Sequence, residues 1–157
     1  MLTQFQSYLT FEAVYLWTNF GVLPFWLMLI IIPNSKITQI FINSVILPLI
    51  LASAYCYTIY QTILLDEPIF EVFKLYLSLD NLYTIFATEN FLLIFWLHFL
   101  TLNLFLGSWV SRDGIKYGMP RGLVSIPLIL IYFTGPVGLV LYWMIRIFYA
   151  KKLGFHD

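Results

Sequence analysis

Between Phe91 and Val110 the chain reads Phe-Leu-Leu-Ile-Phe-Trp96-Leu-His98-Phe-Leu-Thr101-Leu-Asn103-Leu-Phe-Leu-Gly107-Ser108-Trp109-Val. His98 can give or take a proton near neutral pH. Asn103 can orient a partner by hydrogen bonding but is neither a simple acid nor a simple base. On a helix, Thr101 and Ser108 fall within about 80° of His98 and Arg112 within about 40°, whereas Asn103 points about 140° away. The segment therefore carries two polar faces, suited to proton exchange on one and to orientation on the other. A costly ionisable group in a lipid-length helix is expected to face the protein interior and to mark a site. The bland alternative is a neutral imidazole bridging two helices. Metal binding is not expected: the other histidine, His156, lies in the tail, and no carboxylate sits one or two turns from His98. No nucleophile–base–acid set, glycine-rich phosphate loop or dinucleotide fingerprint is present.

The elements that must position these residues follow from composition. The 157 residues are 61% hydrophobic, 20% aromatic and only 10% charged, with eight basic and eight acidic side chains. Soluble domains carry about 25% charged residues, so this is the composition of a membrane protein. No basic or acidic tract is present, which sets nucleic-acid binding aside. The lone Cys56 excludes an internal disulfide and fits a small apolar role. The start of the chain lacks a basic region and cleavage site, so the first apolar segment is expected to remain in the mature protein.

Four segments are long enough to cross about 30 Å of hydrocarbon as helices: residues 13–32, 37–60, 91–110 and 123–150. Backbone amides must be paired locally in lipid, so the expected fold is all-α, a four-helix transmembrane bundle in one domain covering 1–157. The fourth segment is overlong, and Gly135-Pro136 predicts a bend that deprives the Tyr132 carbonyl of its helical donor. Residues 69–89 between the second and third spans read as an interfacial helix. Glu71, Lys74 and Ser78 form its polar stripe, and Asp80-Asn81 caps a further turn from Leu82. This segment is a surface connector or, in the sharper reading, a lid over a lipid-accessible cavity.

Around the spans, Glu12 marks the start of the first and Asn19 is a polar contact within it. Arg112 and Asp113 are expected as a solvated interface pair, and Arg146 is expected to snorkel to the surface of Lys151 and Lys152. With four spans, Lys74, Arg146, Lys151 and Lys152 share one side and Lys36, Arg112, Lys116 and Arg121 the other. That tie leaves orientation open.

Three blocks carry a resemblance. Leu23-Pro24-Phe25-Trp26-Leu27-Met28, then Leu97-His98-Phe99-Leu100 through Leu104-Phe105-Leu106-Gly107 with Trp109, then Gly135-Pro136-Val137-Gly138-Leu139 resemble, in order and spacing, the abscisic-acid-deficient-four-like family. Its plant members are called neoxanthin synthases. The resemblance covers roughly Glu12 to Arg146. It implies a four-helix integral membrane protein of xanthophyll metabolism in a bacterial plasma membrane or cyanobacterial thylakoid membrane.

The plant reaction isomerises an epoxide to an allene without changing the formula, so the resemblance implies no cofactor and a general acid–base step. His98 matches the family histidine. Asn103 stands where the family commonly has aspartate, which leaves it an orienting role, and Ser108 stands where many relatives have arginine. A carotenoid or other lipid-soluble isoprenoid would lie along a groove lined by Trp96, Thr101, Trp109, Tyr132 and Tyr142. The rival reading is a non-catalytic protein that binds pigment or assists assembly of a membrane complex. A homo-oligomer and a transporter made from one stay open.

Overall fold

The computed structural model describes residues 10–42, 44, 46–64, 73, 74 and 76–151, and its regular elements are helices. They are α1 (Phe11–Ile31), α2 (Lys36–Phe41), α3 (Ile46–Leu64), α4 (Leu79–Phe86), α5 (Glu89–Lys116), α6 (Arg121–Thr134) and α7 (Pro136–Ala150). Three of them, α1, α3 and α5, are long and apolar enough to cross a membrane. The chain divides into two compact units, Met1–Gly21 with Leu49–Leu100 and Val22–Pro48 with Thr101–Asp157.

Helix starts follow their side-chain caps. Thr10 opens α1 by accepting the Ala13 amide at 3.2 Å, with Glu12 in the first turn where the helix dipole favours an anion. Ser35 caps α2 through the Thr38 amide at 3.1 Å, and the buried Thr38 hydroxyl donates to the Ile32 carbonyl at 2.8 Å. Ser78, rather than Asp80-Asn81, caps α4, accepting from the Asn81 amide at 3.2 Å, so that helix begins at Leu79 and not at Leu82. A serine in extended conformation one residue before the helix satisfies the orphan amides that Asp80, already inside the first turn, cannot reach. The polar stripe expected around Glu71 lies outside the described residues, whereas Lys74 and Ser78 are exposed.

The first unit is centred on Val14, Leu93 and Leu97, with Phe11, Ala54, Tyr55 and Tyr57 packed against them. Its outer faces on α3 and α4 are apolar and exposed.

Helix α5 has residues in both units and is 28 residues long, six more at its C-terminal end than the sequence suggested. Ser111 to Gly114 continue the helix because nothing there interrupts the hydrogen-bond ladder. It stops at Gly118, whose φ of 63° is left-handed. The Gly118 amide donates to the Ile115 carbonyl at 3.1 Å and the Met119 amide to the Gly114 carbonyl at 2.9 Å, the paired bonds of a Schellman end.

The expected single bent span over 123–150 is two helices of 14 and 15 residues. At 1.5 Å per residue each is roughly 21 Å long, short of the hydrocarbon core. Gly135 separates them with φ 60° and ψ −85°, a conformation that a side chain resists, and Pro136 then starts α7. The neighbours fix the direction of the chain. Gly114 of α5 lies against Val124, Asn103 lies against Gly135, and Asp113 lies against Arg146. Thus α6 runs back along α5, and α7 returns beside it.

The reversal is tight: a Cβ on Gly138 would fall 2.6 Å from the Pro127 carbonyl oxygen and would also collide with the Ile131 backbone nitrogen. Arg146 and Lys151 consequently come to the end of α5 that holds Arg112 and Lys116, next to Arg121 at the start of α6. The four-to-four tie rested on a fourth crossing, and the hairpin removes it.

Gly138→Ala should lower the stability of the detergent-solubilised protein by about 1–3 kcal/mol, because backbone cannot move aside as a side chain can. Gly21→Ala, which meets nothing within 4 Å, should not lower it. Thermal unfolding of both variants checks the pair.

Candidate functional site

In the first unit, His98 is exposed rather than turned inward, its ring 6.2 Å from that of Tyr55 on α3. The expected interior placement fails because Leu97 and Leu100 occupy the buried positions on either side of it. Trp96 is half-buried and held from three directions. Its indole N–H donates to Asn19 Oδ1 at 2.9 Å, Phe99 stacks on it at 5.4 Å, and Tyr15 tilts against it at 6.3 Å. Asn19 in turn donates to the Tyr15 carbonyl at 3.0 Å, so the mid-helix polar contact expected of it is the tie to α5.

Trp96 forms one wall of a groove of about 440 Å³ with Phe11, Tyr15 and Leu93, whose mouth carries Glu12 and Glu89. Both glutamates begin helices, and the sequence gives that role no hint of a shared groove. A second groove of about 890 Å³ lies between α4 and α5, lined by Leu79, Leu82, Tyr83, Phe86 and Phe95. Phe86 and Phe95 meet edge to face at 4.9 Å. Residues of α4 thus line this groove together with Phe95 of α5, and Asp80 also lies in its wall.

In the second unit, Asn103 is 8% exposed and its amide Nδ2 has no hydrogen-bond partner. An unanswered buried amide costs about 1–3 kcal/mol. Its Oδ1 lies 2.7 Å from where a Gly135 Cβ would stand, so only glycine lets the break close against it. One turn along α5, Gly107 admits Trp26 so closely that a Cβ would lie 2.6 Å from the indole. Trp26 meets Tyr132 edge to face at 5.5 Å. Asn103, Gly107, Trp26 and Tyr132 therefore share one aromatic neighbourhood beside the helix break. Trp26 was legible only as part of a sequence block, not as a site residue.

Two turns further along, Trp109 and Tyr142 also come together, at 5.6 Å and 84° between rings, with Trp143 at 6.2 Å. Tyr142 does not offer a free hydroxyl to a groove: it donates to Asp113 Oδ2 at 2.6 Å. Arg146 is 1% exposed, and its Nε donates to the same oxygen at 2.7 Å. The guanidinium also reaches the Tyr117 hydroxyl at 3.3 Å and lies over the Tyr117 and Trp143 rings at 5.0 and 4.7 Å.

The expected snorkelling of Arg146 and the expected Arg112–Asp113 interface pair are both overturned. Asp113 points into the unit and captures Arg146, while Arg112 is exposed. Thr101 is half-buried and Ser108 buried, both on α5 and both engaged. His98 and Trp96 belong to one unit and Asn103, Thr101, Trp109, Tyr132 and Tyr142 to the other. Among the described residues no cluster of three potential metal ligands occurs.

Removing one member of a buried ion pair strands the other, at about 3–5 kcal/mol. Asp113→Leu should therefore destabilise the protein strongly, and adding Arg146→Met should recover most of the loss. Unfolding temperatures of the two single variants and the double variant test this coupling.

Comparisons with known proteins agree with these blocks. Residues 13–142 match the family model described as ABA DEFICIENT 4-like. "Protein ABA DEFICIENT 4, chloroplastic" of Arabidopsis thaliana is 27% identical over 129 residues, covering 80% of this chain and 57% of that protein. The chain thus spans a little over half the length of the curated relative it matches. No solved structure matches it. With the three sequence blocks and the Asn103–Gly135 and Gly107–Trp26 approaches inside the matched region, this membrane protein belongs to the ABA DEFICIENT 4-like family.

Proposed function

We propose that this protein takes a xanthophyll-class carotenoid from the bilayer and isomerises it without a redox cofactor. The observation that carries the reading is Asn103. A buried amide donor without a partner, set among Trp26, Tyr132 and a helix break, is suited to an oxygen at the end of a largely apolar ligand. Family membership supports the substrate class. A polyene fits such a surface because its length is close to the hydrocarbon thickness of about 30 Å. Trp109 offers it a ring face, whereas the Tyr142 hydroxyl is engaged with Asp113.

Isomerising an epoxide to an allene moves one proton off a polyene carbon and places one on the epoxide oxygen, so atoms and electrons balance without an oxidant. His98 is the group proposed to exchange that proton, and its exposed position on an apolar helix supports access by a lipid-dissolved substrate. Trp96 and Thr101 are proposed contacts of the polyene.

A second reading has its own support. Where the family commonly has a carboxylate, Asn103 can hold an oxygen but cannot move a proton. On that basis the protein would bind pigment, or help assemble a pigment-bearing complex, without converting it.

Expression in a carotenoid-producing host separates the two. Catalysis predicts a changed xanthophyll profile that His98→Ala abolishes while the protein still inserts. Binding alone predicts an unchanged profile with coloured ligand co-purifying at about one per chain. Under either reading Asn103→Leu should weaken retention about tenfold or more, the effect of one lost hydrogen bond in a dry site. An unchanged profile together with colourless protein would overturn both.

A further inference from the structure

The second unit holds a cavity of about 300 Å³ between the end of α1 and the turn from α5 into α6. None of its walls is a residue assigned above to carotenoid binding, so it stands apart from that reading. We propose that it binds the phosphate group of a membrane amphiphile, a phospholipid or an isoprenoid phosphate.

Four observations converge on a phosphate. Ser111 lines the cavity, is 2% exposed, and its hydroxyl has no hydrogen-bond partner. A hydroxyl buried so completely and without a protein acceptor has a donor to offer to a group entering the cavity. Next, α6 is 14 residues long and begins at this cavity without a side-chain cap, because Pro120 occupies the cap position. The Leu123 and Val124 amides turn back to the Pro120 carbonyl, which leaves the preceding Arg121 and Gly122 amides ahead of the helical ladder. Such an N-terminus favours an anion through its N–H groups and its dipole.

Arg121, exposed at the first position of α6, lines the cavity, and in the proposed site it brings a guanidinium to the edge. It can bind phosphate oxygens in pairs. Gly118 and Gly122 meet nothing within 4 Å of an ideal Cβ, so the approach to these amides is open.

Elsewhere the wall is mainly apolar, with Leu29, Ile30, Ile115, Val124 and Leu128, and it adds the polar side chains of Asn34 and Ser125. The apolar side chains suit a phosphate ester whose tail continues along the helices. The site also sits where charge favours it. Among the described residues of this unit the one acidic side chain is Asp113, and it is held by Arg146 outside the cavity wall. Lys36, Arg112, Lys116, Arg121, Arg146 and Lys151 are the described cations of the same unit. Juxtamembrane cations of this kind attract anionic headgroups.

The test uses the full chain in dodecyl maltoside and native mass spectrometry, with dioleoyl phosphatidic acid, dioleoylglycerol and inorganic phosphate as probes. One phosphatidic acid should be retained per chain and no dioleoylglycerol, and Arg121→Gln and Ser111→Ala should each weaken retention about tenfold. Arg121 is exposed, so its variant reads binding even if Ser111→Ala perturbs the fold, which thermal unfolding without lipid reports. Displacement of phosphatidic acid by millimolar inorganic phosphate would identify the phosphate group alone as the recognised feature. Failure to displace it would identify the lipid ester. Equal retention of phosphatidic acid and dioleoylglycerol, or retention unchanged in both variants, would overturn the proposal.

Discussion

Arg146 carries a full charge at 1% exposure inside an apolar helix, and the second unit is arranged around answering it. Asp113 and the Tyr117 and Trp143 rings surround the guanidinium, and Tyr142 completes the coordination of the carboxylate. An unpaired charge there would cost several kcal/mol, so α7 must lie where Asp113 can reach it. That requirement ties the far end of α7 to the far end of α5. With Gly135 seated against Asn103 at the other end, the chain between Arg121 and Ala150 goes out along α5 and comes back. Gly138 makes the return close enough to pack, and the hydrophobic side chains of α6 fill what remains.

This arrangement changes what the charges mean. Among the described residues, Lys36, Arg112, Lys116, Arg121, Arg146 and Lys151 fall in the second unit, while Lys74, Glu12, Asp80 and Glu89 fall in the first. A single crossing over 123–150 would set Arg146 and Lys151 apart from the other cations of the second unit; a hairpin gathers them. The rule that positive loops stay on the cytoplasmic side then has something to act on. The cavity beside Arg121 belongs to the same unit as these cations, which attract anionic headgroups.

Much of the fold could be read from composition and run length. Three membrane-length helices, the break at Gly135-Pro136 and the role of Asn19 as a polar contact all have local causes. What could not be read was non-local. A Gly-Pro pair forces a break but does not say whether the chain bends or reverses; that depends on Gly138 against Pro127 and on Arg146 finding Asp113. Read alone, Arg146 four residues before the helix end looks like a snorkelling side chain.

His98 looked like an interior group because charge is expensive in lipid, yet its neighbours Leu97 and Leu100 took the buried positions. The candidate site was half legible. Asn103 and Tyr132 could be named from polarity and position, whereas Trp26 reaches Gly107 only through a contact between helices far apart in sequence.

The central claim is that the segment from Arg121 to Ala150 is a hairpin and not a crossing, and cysteine accessibility tests it most directly. In a Cys56→Ser background, single cysteines at Gly122 and Lys151 would be exposed in sealed, right-side-out vesicles to a membrane-impermeant maleimide. The hairpin predicts that both are protected until the vesicles are opened, as expected for one shared cytoplasmic face. Labelling of one position from outside and the other only after opening would mean that the segment crosses the membrane, and would contradict the account.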